Sequence, residues 1–447
     1  MKKIKMKKIC RTIHVLLLIK TTSVKLEKRN FYFEHMQRLL VILAFCLLYC
    51  SCVWNDTDED LDYLVLDDSE YPYAEIPRLV IETEHFQQIR DRETQIPARL
   101  QIYGENGPES EILDLTVRGR GNSSFTGMPK WSIKLKFNKK QEMLGMPKDK
   151  EWALIANSAD KTLLKNFITY KLAWWLGDEY SPRSEFVELY LNRKYMGVYL
   201  LTETVKVGSH RVDISDDEFS YLLELGSTER DGETHVITKR GTNFNVKYPK
   251  EPTDSAMSIL RKHLIDWEFY LYHDEVEREK PLDFWLDEAD YLRYYWIQEL
   301  SKNFDGAFRR SIYLTWERHK PFKLGPVWDF DVAYGNWEID SLRQPHGWYV
   351  RNSEWNKQIH NIPSFSNKVN DYWIKNQPFF KTLPDSIKKY GNILRPATEN
   401  EFRRWPVLEN TENWTYKEAY GTYDEALDSL NSWIMQRIQW IDHQIIQ

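Results

Sequence analysis

The residues best suited to chemistry in this chain are three carboxylates. Asp329 and Asp331 close the run Val327-Trp328-Asp329-Phe330-Asp331, where an apolar segment gives way to a polar loop, and Asp305 lies upstream in Asn303-Phe304-Asp305. Carboxylates two apart at a strand end can share a hard cation such as Mg²⁺ or Mn²⁺, which takes oxygen ligands and leaves positions open for phosphate. A separate carboxylate nearby can orient or deprotonate a hydroxyl nucleophile. Together these are the minimum apparatus for moving a phosphoryl group. An Asp at a strand exit also does plain turn work, bonding its own backbone and tolerating unusual φ. The elements around the pair therefore decide between the two readings.

The element that must position them is a hairpin. Ser311-Ile312-Tyr313-Leu314-Thr315-Trp316 and Phe322-Lys323-Leu324-Gly325-Pro326-Val327-Trp328 are apolar runs separated by a charged turn, the pattern of two paired strands. Such a hairpin returns the chain and brings the Asp305 and Asp329 loops to the same end of a sheet.

Composition bounds what surrounds this site. The chain has 447 residues, 42% hydrophobic and 14% aromatic, which is ample for a large core. A formal net charge of −6 and the lack of a basic tract in the body of the chain argue against a nucleic-acid binder. Cys10, Cys46, Cys50 and Cys52 are the only cysteines, so beyond residue 52 neither a disulfide framework nor a cysteine-ligated zinc site is possible.

That clustering has an explanation. A positive start at Met36-Gln37-Arg38, an apolar run from Leu39 to Tyr49 and the small residue Ser51 have the layout of a secretory signal, and the run is too short for a membrane span. Ser51-Cys52 resembles a bacterial lipobox, which makes Cys52 the expected site of lipidation and of a membrane anchor. Residues 1–35 then read as an upstream extension of the frame, 36–52 as the lipoprotein signal peptide, and 53–75 as an acidic flexible tether containing Asn55-Asp56-Thr57-Asp58-Glu59-Asp60. The acidic stretch resembles the signal that sends some Gram-negative lipoproteins to the cell surface. An outer-membrane or cell-surface location is expected, although an ordinary linker would have the same composition.

From about residue 76 the pattern is globular. The first half is β-rich: Ser132 to Phe137 alternates Ile133, Leu135 and Phe137 with Lys134 and Lys136. Asp160 to Leu176 has helical apolar spacing with Gly177 as its stop. A hairpin is expected from Phe186–Leu191 and Met196–Thr202 around Asn192-Arg193-Lys194, then a strand over Tyr221–Leu225. Helical spacing marks Ile259–His273, Asp287–Asn303 and Tyr423–Ile446. The predicted fold class is α+β and bilobal, with a β-rich N-lobe over about 76–226 and a helical C-lobe over about 227–447. Nucleotides commonly bind between such lobes.

Six segments occur in the order of one known family. They are Arg118-Gly119-Arg120-Gly121-Asn122-Ser123-Ser124, Leu144-Gly145-Met146-Pro147-Lys148-Asp149-Lys150, Ser181-Pro182-Arg183, Val187-Glu188-Leu189-Tyr190-Leu191-Asn192, Gly197-Val198-Tyr199-Leu200-Leu201-Thr202-Glu203 and Trp328-Asp329-Phe330-Asp331. Over about residues 76 to 340 the chain resembles the CotH family of atypical kinases. The resemblance implies an atypical protein-kinase fold, ATP with a divalent metal, and phosphate transfer to hydroxyls of a protein substrate, Ser or Thr by preference. It aligns Asp305 with the catalytic aspartate and Asp329 with the metal aspartate of an Asp-Phe-Gly motif. Arg310 stands where ordinary kinases place a metal-binding Asn, which leaves Asp331 or Asn303 as the second metal ligand.

The resemblance also implies ATP-binding roles in the first lobe. Lys136 is the first candidate for the kinase lysine and Lys134, on the same face, the second; either would pair with Glu203. Arg120 and Asn122, in the glycine-containing turn, would touch phosphate, and Glu224 would sit at the adenine hinge. A solvated strand face and a turn that needs its glycines for positive φ would look the same. Trp337, Trp348 and Trp355 are expected to pack rather than bind. Two other functions remain open: a metal-dependent glycosyltransferase using Asp-x-Asp, and a catalytically silent surface-binding protein with the same fold.

Overall fold

In the computed structural model the described residues are 63–226, 233–273, 280–412, 415 and 417–446. Cys52 and the segments 1–35 and 36–52 lie outside them. Among the described residues no helix is long and apolar enough to cross a membrane.

Eight strands form the first sheet: β1 (Arg78–Thr83), β2 (Ile96–Gly104), β3 (Gly107–Pro108), β4 (Leu113–Arg120), β5 (Ser132–Met143), β6 (Met146–Ile155), β7 (Ser184–Leu191) and β8 (Lys194–Glu203). Their order is β1-β7-β8-β6-β5-β4-β2-β3. Because β1 pairs antiparallel with β2 and parallel with β7, the sheet curls back on itself into a barrel. The period-two pattern of β5 sets the inside: Ile133, Leu135 and Phe137 pack with Trp152, Leu154 and Leu201 in one apolar cluster. Lys134 and Lys136 point the other way. The β7–β8 hairpin turns through Asn192 (φ 53°) and Arg193 (φ 63°), the left-handed pair that a two-residue hairpin requires.

Residues 63–75 do not behave as the tail of a tether. Leu64 packs with Val80, Tyr103, Tyr190 and Tyr195, and Tyr71 stacks on Tyr195 at 4.2 Å between centroids. The acidic run ends at Asp60, and the apolar anchors that follow it find the barrel wall.

A second, five-stranded sheet has the order β10-β11-β9-β12-β13, from β9 (Ser220–Leu225), β10 (His235–Ile237), β11 (Asn243–Tyr248), β12 (Ile312–Glu317) and β13 (Lys323–Leu324). The expected hairpin is thus present as β12–β13, with Leu314 opposite Leu324. Its second strand is only two residues long. Beyond Leu324 the backbone is held by carboxylates instead: Asp290 accepts Leu324 N–H at 2.7 Å and Asp178 accepts Val327 N–H. β9, at the end of the expected N-lobe, pairs with β12, so this sheet joins chain from both halves.

The longer helices are α1 (Lys165–Trp175), α2 (Asp254–Tyr272), α3 (Glu288–Ser301), α4 (Glu354–His360), α5 (Pro363–Phe380), α6 (Leu383–Arg404) and α7 (Tyr423–Ile446). α7 and α3 closely match the sequence reading; α1 does not begin at Asp160. Asp160 instead caps a turn, its Oδ1 accepting Thr162 N–H at 2.9 Å and its Oδ2 accepting Lys165 N–H at 2.8 Å, and Leu163 takes φ 60°.

Two buried ion pairs join the layers. Lys130 meets Glu401 of α6 at 2.7 Å, and Glu401 Oε2 accepts Val198 N–H of β8 at 2.7 Å. Gly197, at φ 103°, permits that approach: a Cβ there would lie 2.2 Å from Glu401 Oε2. Arg437 of α7 meets Glu299 of α3 at 2.7 Å, both fully buried. Trp348 and Trp355 pack as expected, Trp355 against Phe244, Trp267 and Phe308, and Trp348 against Trp296 and Trp440.

His263 of α2 stacks on Trp316 at 4.2 Å, with Trp285 and Phe322 around it. Burial lowers its pKa from 6.5 to about 4. The unfolded chain therefore takes up this proton at a higher pH than the fold does. The stability it contributes should be fully present above pH 6.5 and lost as pH falls toward 4. His263→Phe should flatten that part of a melting-temperature-against-pH curve; an unchanged difference from wild type between pH 7 and 4.5 would contradict this.

Candidate active site

The site is built where three chain segments end. α3 stops at Ser301, and Lys302 follows in the left-handed region (φ 51°) as its C-cap. Lys302 Nζ donates to Ser341 O (2.6 Å), Gln344 O (2.8 Å) and His346 O, so the chain leaving α3 is clamped as it turns. Asn303 then links the two carboxylate loops. Its Oδ1 accepts Asp305 N–H at 3.2 Å, and its Nδ2 donates to Asp329 O at 3.2 Å and Gln298 Oε1 at 3.0 Å. Gly306 is required by this packing, since a Cβ there would fall 2.0 Å from Gln298 Oε1.

Asp329 itself takes φ 67°, a conformation Asp tolerates better than most residues. Ser311 Oγ donates to its Oδ2 at 3.0 Å. Asn166, in the first turn of α1, holds the next two residues: its Oδ1 accepts Phe330 N–H at 2.8 Å and its Nδ2 donates to Asp331 Oδ1. Asn336 Nδ2 donates to Asp331 O at 2.6 Å. Trp328 sits against Tyr170 (5.8 Å, 19° between planes) and under the Arg120 guanidinium (4.6 Å).

The three carboxylates act on one another electrostatically. Burial first, then the Asp329 charge, raises Asp305 to about 7, against the pull of Arg310 and Arg309. Asp331 is raised to about 7 by the same two causes, opposed by its bond from Asn166. Burial raises Asp329 as well, opposed by Ser311, Arg120 and Arg310. Arg310 Nε lies 3.1 Å from Asp305 Oδ1. Three half-buried or buried carboxylates thus share too little positive charge, the arrangement a cation would relieve.

Among the described residues no group of three or more His, Cys, Asp or Glu side chains converges to hold a metal by itself. The oxygens on offer are those of Asp329, to which Ser311 donates, and of Asp331 two residues on, a donor type that suits a hard cation. Asn303 is engaged in bracing the loops.

The first-lobe candidates separate. Arg120 lies over the ring of Trp328, next to Asp329, and its charge opposes the upward shift of Asp329 while that of Glu224 adds to it. Glu224 is buried, with Lys247 Nζ 3.4 Å from its Oε2. Lys134 is paired with Glu151 at 2.9 Å, while Lys136 is exposed one step further along β5. Neither pairs with Glu203, which is bound by Arg183 at 2.9 Å and by Arg211. Register is the reason: Glu203 lies opposite Trp152 on the inward face, while the lysines point outward. Asn122 accepts from Arg92 at 2.5 Å. Trp337 stacks on Phe304 at 4.5 Å, as the packing expectation holds.

Sequence reasoning did not find Asn166, Ser311, Gln298 or Lys165. A faint signal existed: α1 is buried almost all round, so an Asn in its first turn had to find partners.

A barrel, an antiparallel second sheet and a helical part, with clustered carboxylates beside an arginine, define a mixed α+β domain built around a charged site. Residues 117–441 match the family model described as CotH kinase protein, and the chain belongs to that family. The match extends the resemblance into α7. No curated protein matches the chain.

Asn166→Ala should leave Phe330 N–H without its partner and release Asp331. A loss of about 1–3 kcal/mol is expected for such an unsatisfied group, measured by denaturant unfolding. Wild-type stability in this variant would show that the loop is held elsewhere.

Proposed function

We propose that this protein is an ATP- and Mg²⁺-dependent kinase of protein hydroxyls that works outside the cytoplasm, with an atypical kinase-like bilobal fold. The observation that supports it best is the approach of Asp305 to Asp329, each belonging to a different loop and tied together through Asn303. Asp329 and Asp331 would hold the divalent cation, whose chemistry when bound is to neutralise phosphate oxygens. Asp305 would orient the acceptor hydroxyl and take its proton. Arg120 would face phosphate, and Lys134, opposite Arg118 in the β4–β5 pairing, lies nearer to it along the strand than Lys136. Glu224 lines the same side.

One observation favours a second reading. Arg310 Nε pairs with Asp305 Oδ1 at 3.1 Å, as it would in a silent binding protein that keeps the fold. Substitution separates the two. Asp329→Ala should abolish Mg²⁺-dependent ATP binding without unfolding the domain. Asp305→Ala should keep ATP affinity while labelled-phosphate transfer falls by about 10²-fold or more, the scale of a lost positioned base. Full ATP binding by Asp329→Ala would reduce that residue to a turn, and no transfer by wild type would favour the silent binder.

The anchor is a separate part of the proposal, resting on Ser51-Cys52 and on the acidic stretch after it. It places the protein on the outer membrane or cell surface. Metabolic labelling with a fatty acid should mark wild type and miss Cys52→Ser; equal labelling of both would refute the anchor.

A further inference from the structure

A cleft opens beside Asp331. Asn336, which donates to Asp331 O, lines it together with Lys165, the neighbour of Asn166. Its charged lining is completed by Lys161, Arg343 and Lys417 and by the carboxylates of Asp160 and Glu418, so positive charge predominates.

The cations differ in what they already hold. Lys161 Nζ donates to Leu408 O at 2.9 Å, Asn410 O at 2.8 Å and Glu418 O, which uses its three protons. Arg343 pairs with Asp340 at 3.2 Å. Lys165 is 7% exposed, yet its ion pair with Asp160 Oδ1 is 3.7 Å long, beyond a good hydrogen bond. Asp160 is committed elsewhere: its Oδ1 takes Thr162 N–H and Oγ–H, and its Oδ2 takes the Lys165 backbone N–H. A buried ammonium in such a position needs an acceptor. Burial lowers the pKa of Lys165, and Asp160, Glu418 and then Asp331 oppose that shift.

We propose that this cleft is an oxyanion subsite in which Lys165 takes a phosphate group next to Asp331. The inference deepens the phosphotransfer reading and rests on it for the meaning of the phosphate, but not for the binding itself. The phosphate has two possible sources: a nucleotide, or a phosphorylated acceptor leaving the site. Lysine suits either as a compact point charge.

Calorimetric titration of the full chain with pyrophosphate, ATP with and without Mg²⁺, and a phosphoserine peptide tests this. Lys165→Met should weaken pyrophosphate binding by about tenfold or more, the scale of a lost charge-assisted hydrogen bond, and Lys165→Arg should restore most of it. Loss of ATP affinity in parallel assigns the subsite to the nucleotide; loss confined to pyrophosphate and phosphopeptide assigns it to the acceptor side. If Lys165→Met does not fold, Lys417→Glu, at an exposed position on the cleft, should weaken pyrophosphate in the same direction. Unchanged binding of all three ligands by folded Lys165→Met, or by Lys417→Glu in its place, overturns the subsite. Lys165-dependent pyrophosphate binding without any phosphoryl transfer by wild type would instead overturn the kinase reading and leave the subsite standing.

Discussion

Like charges brought together out of water are the constraint around which this domain is arranged. Asp305, Asp329 and Asp331 each hold their protons more tightly because of burial, and Asp329 raises the other two further. Left to themselves, such groups would separate or draw in water. They stay because the loops are braced by neutral side chains: Asn303 bonds the backbone of both loops, Asn166 takes the Phe330 N–H and donates to the Asp331 carboxylate, and Ser311 donates to the Asp329 carboxylate. Arg120 and Arg310 supply part of the missing positive charge.

The rest of the fold keeps those holders in place. Lys302, clamped by carbonyls of the 341–346 segment, fixes the end of α3, and the Glu299–Arg437 pair ties the same helix to α7. Asp290 and Asp178 take backbone N–H groups of the chain running from β13 to Asp329, where sheet pairing has stopped. Buried ionic groups contribute little net stability, and a missing partner is costly. Here they define one geometry for a segment with little regular hydrogen bonding of its own.

Several of the positive-φ residues fall in the same region. Leu163, Lys302, Ser311, Asp329 and Tyr334 all have positive φ between 51° and 67°. Such conformations persist only where surrounding contacts over-determine them, and they accumulate at sites where preorganisation matters. A centre that must present fixed charge to a phosphoryl group gains from carboxylates already held in position before its ligand arrives.

Much of this was legible in the residues themselves. The β12–β13 hairpin, the inward face of β5, the β7–β8 turn and α7 follow from periodicity and turn chemistry, which are local. Asp305 and Asp329 could be singled out because both flank that hairpin, so a single local pairing brings them together. Family membership was legible because short motifs in order survive without knowledge of their contacts. Other features depended on partners remote in sequence. Closure of the barrel by β1, the pairing of β9 with β12, and the capture of Glu203 by Arg183 and Arg211 rather than by a lysine are set by long-range register. Asn166 is 164 residues from the backbone it holds, and the cleft beside Lys165 is completed by residues as remote as Asn336, Lys417 and Trp433. Local chemistry specified which residues could act; only tertiary packing decided which of them meet, because burial and charge pairing are properties of the assembled interior.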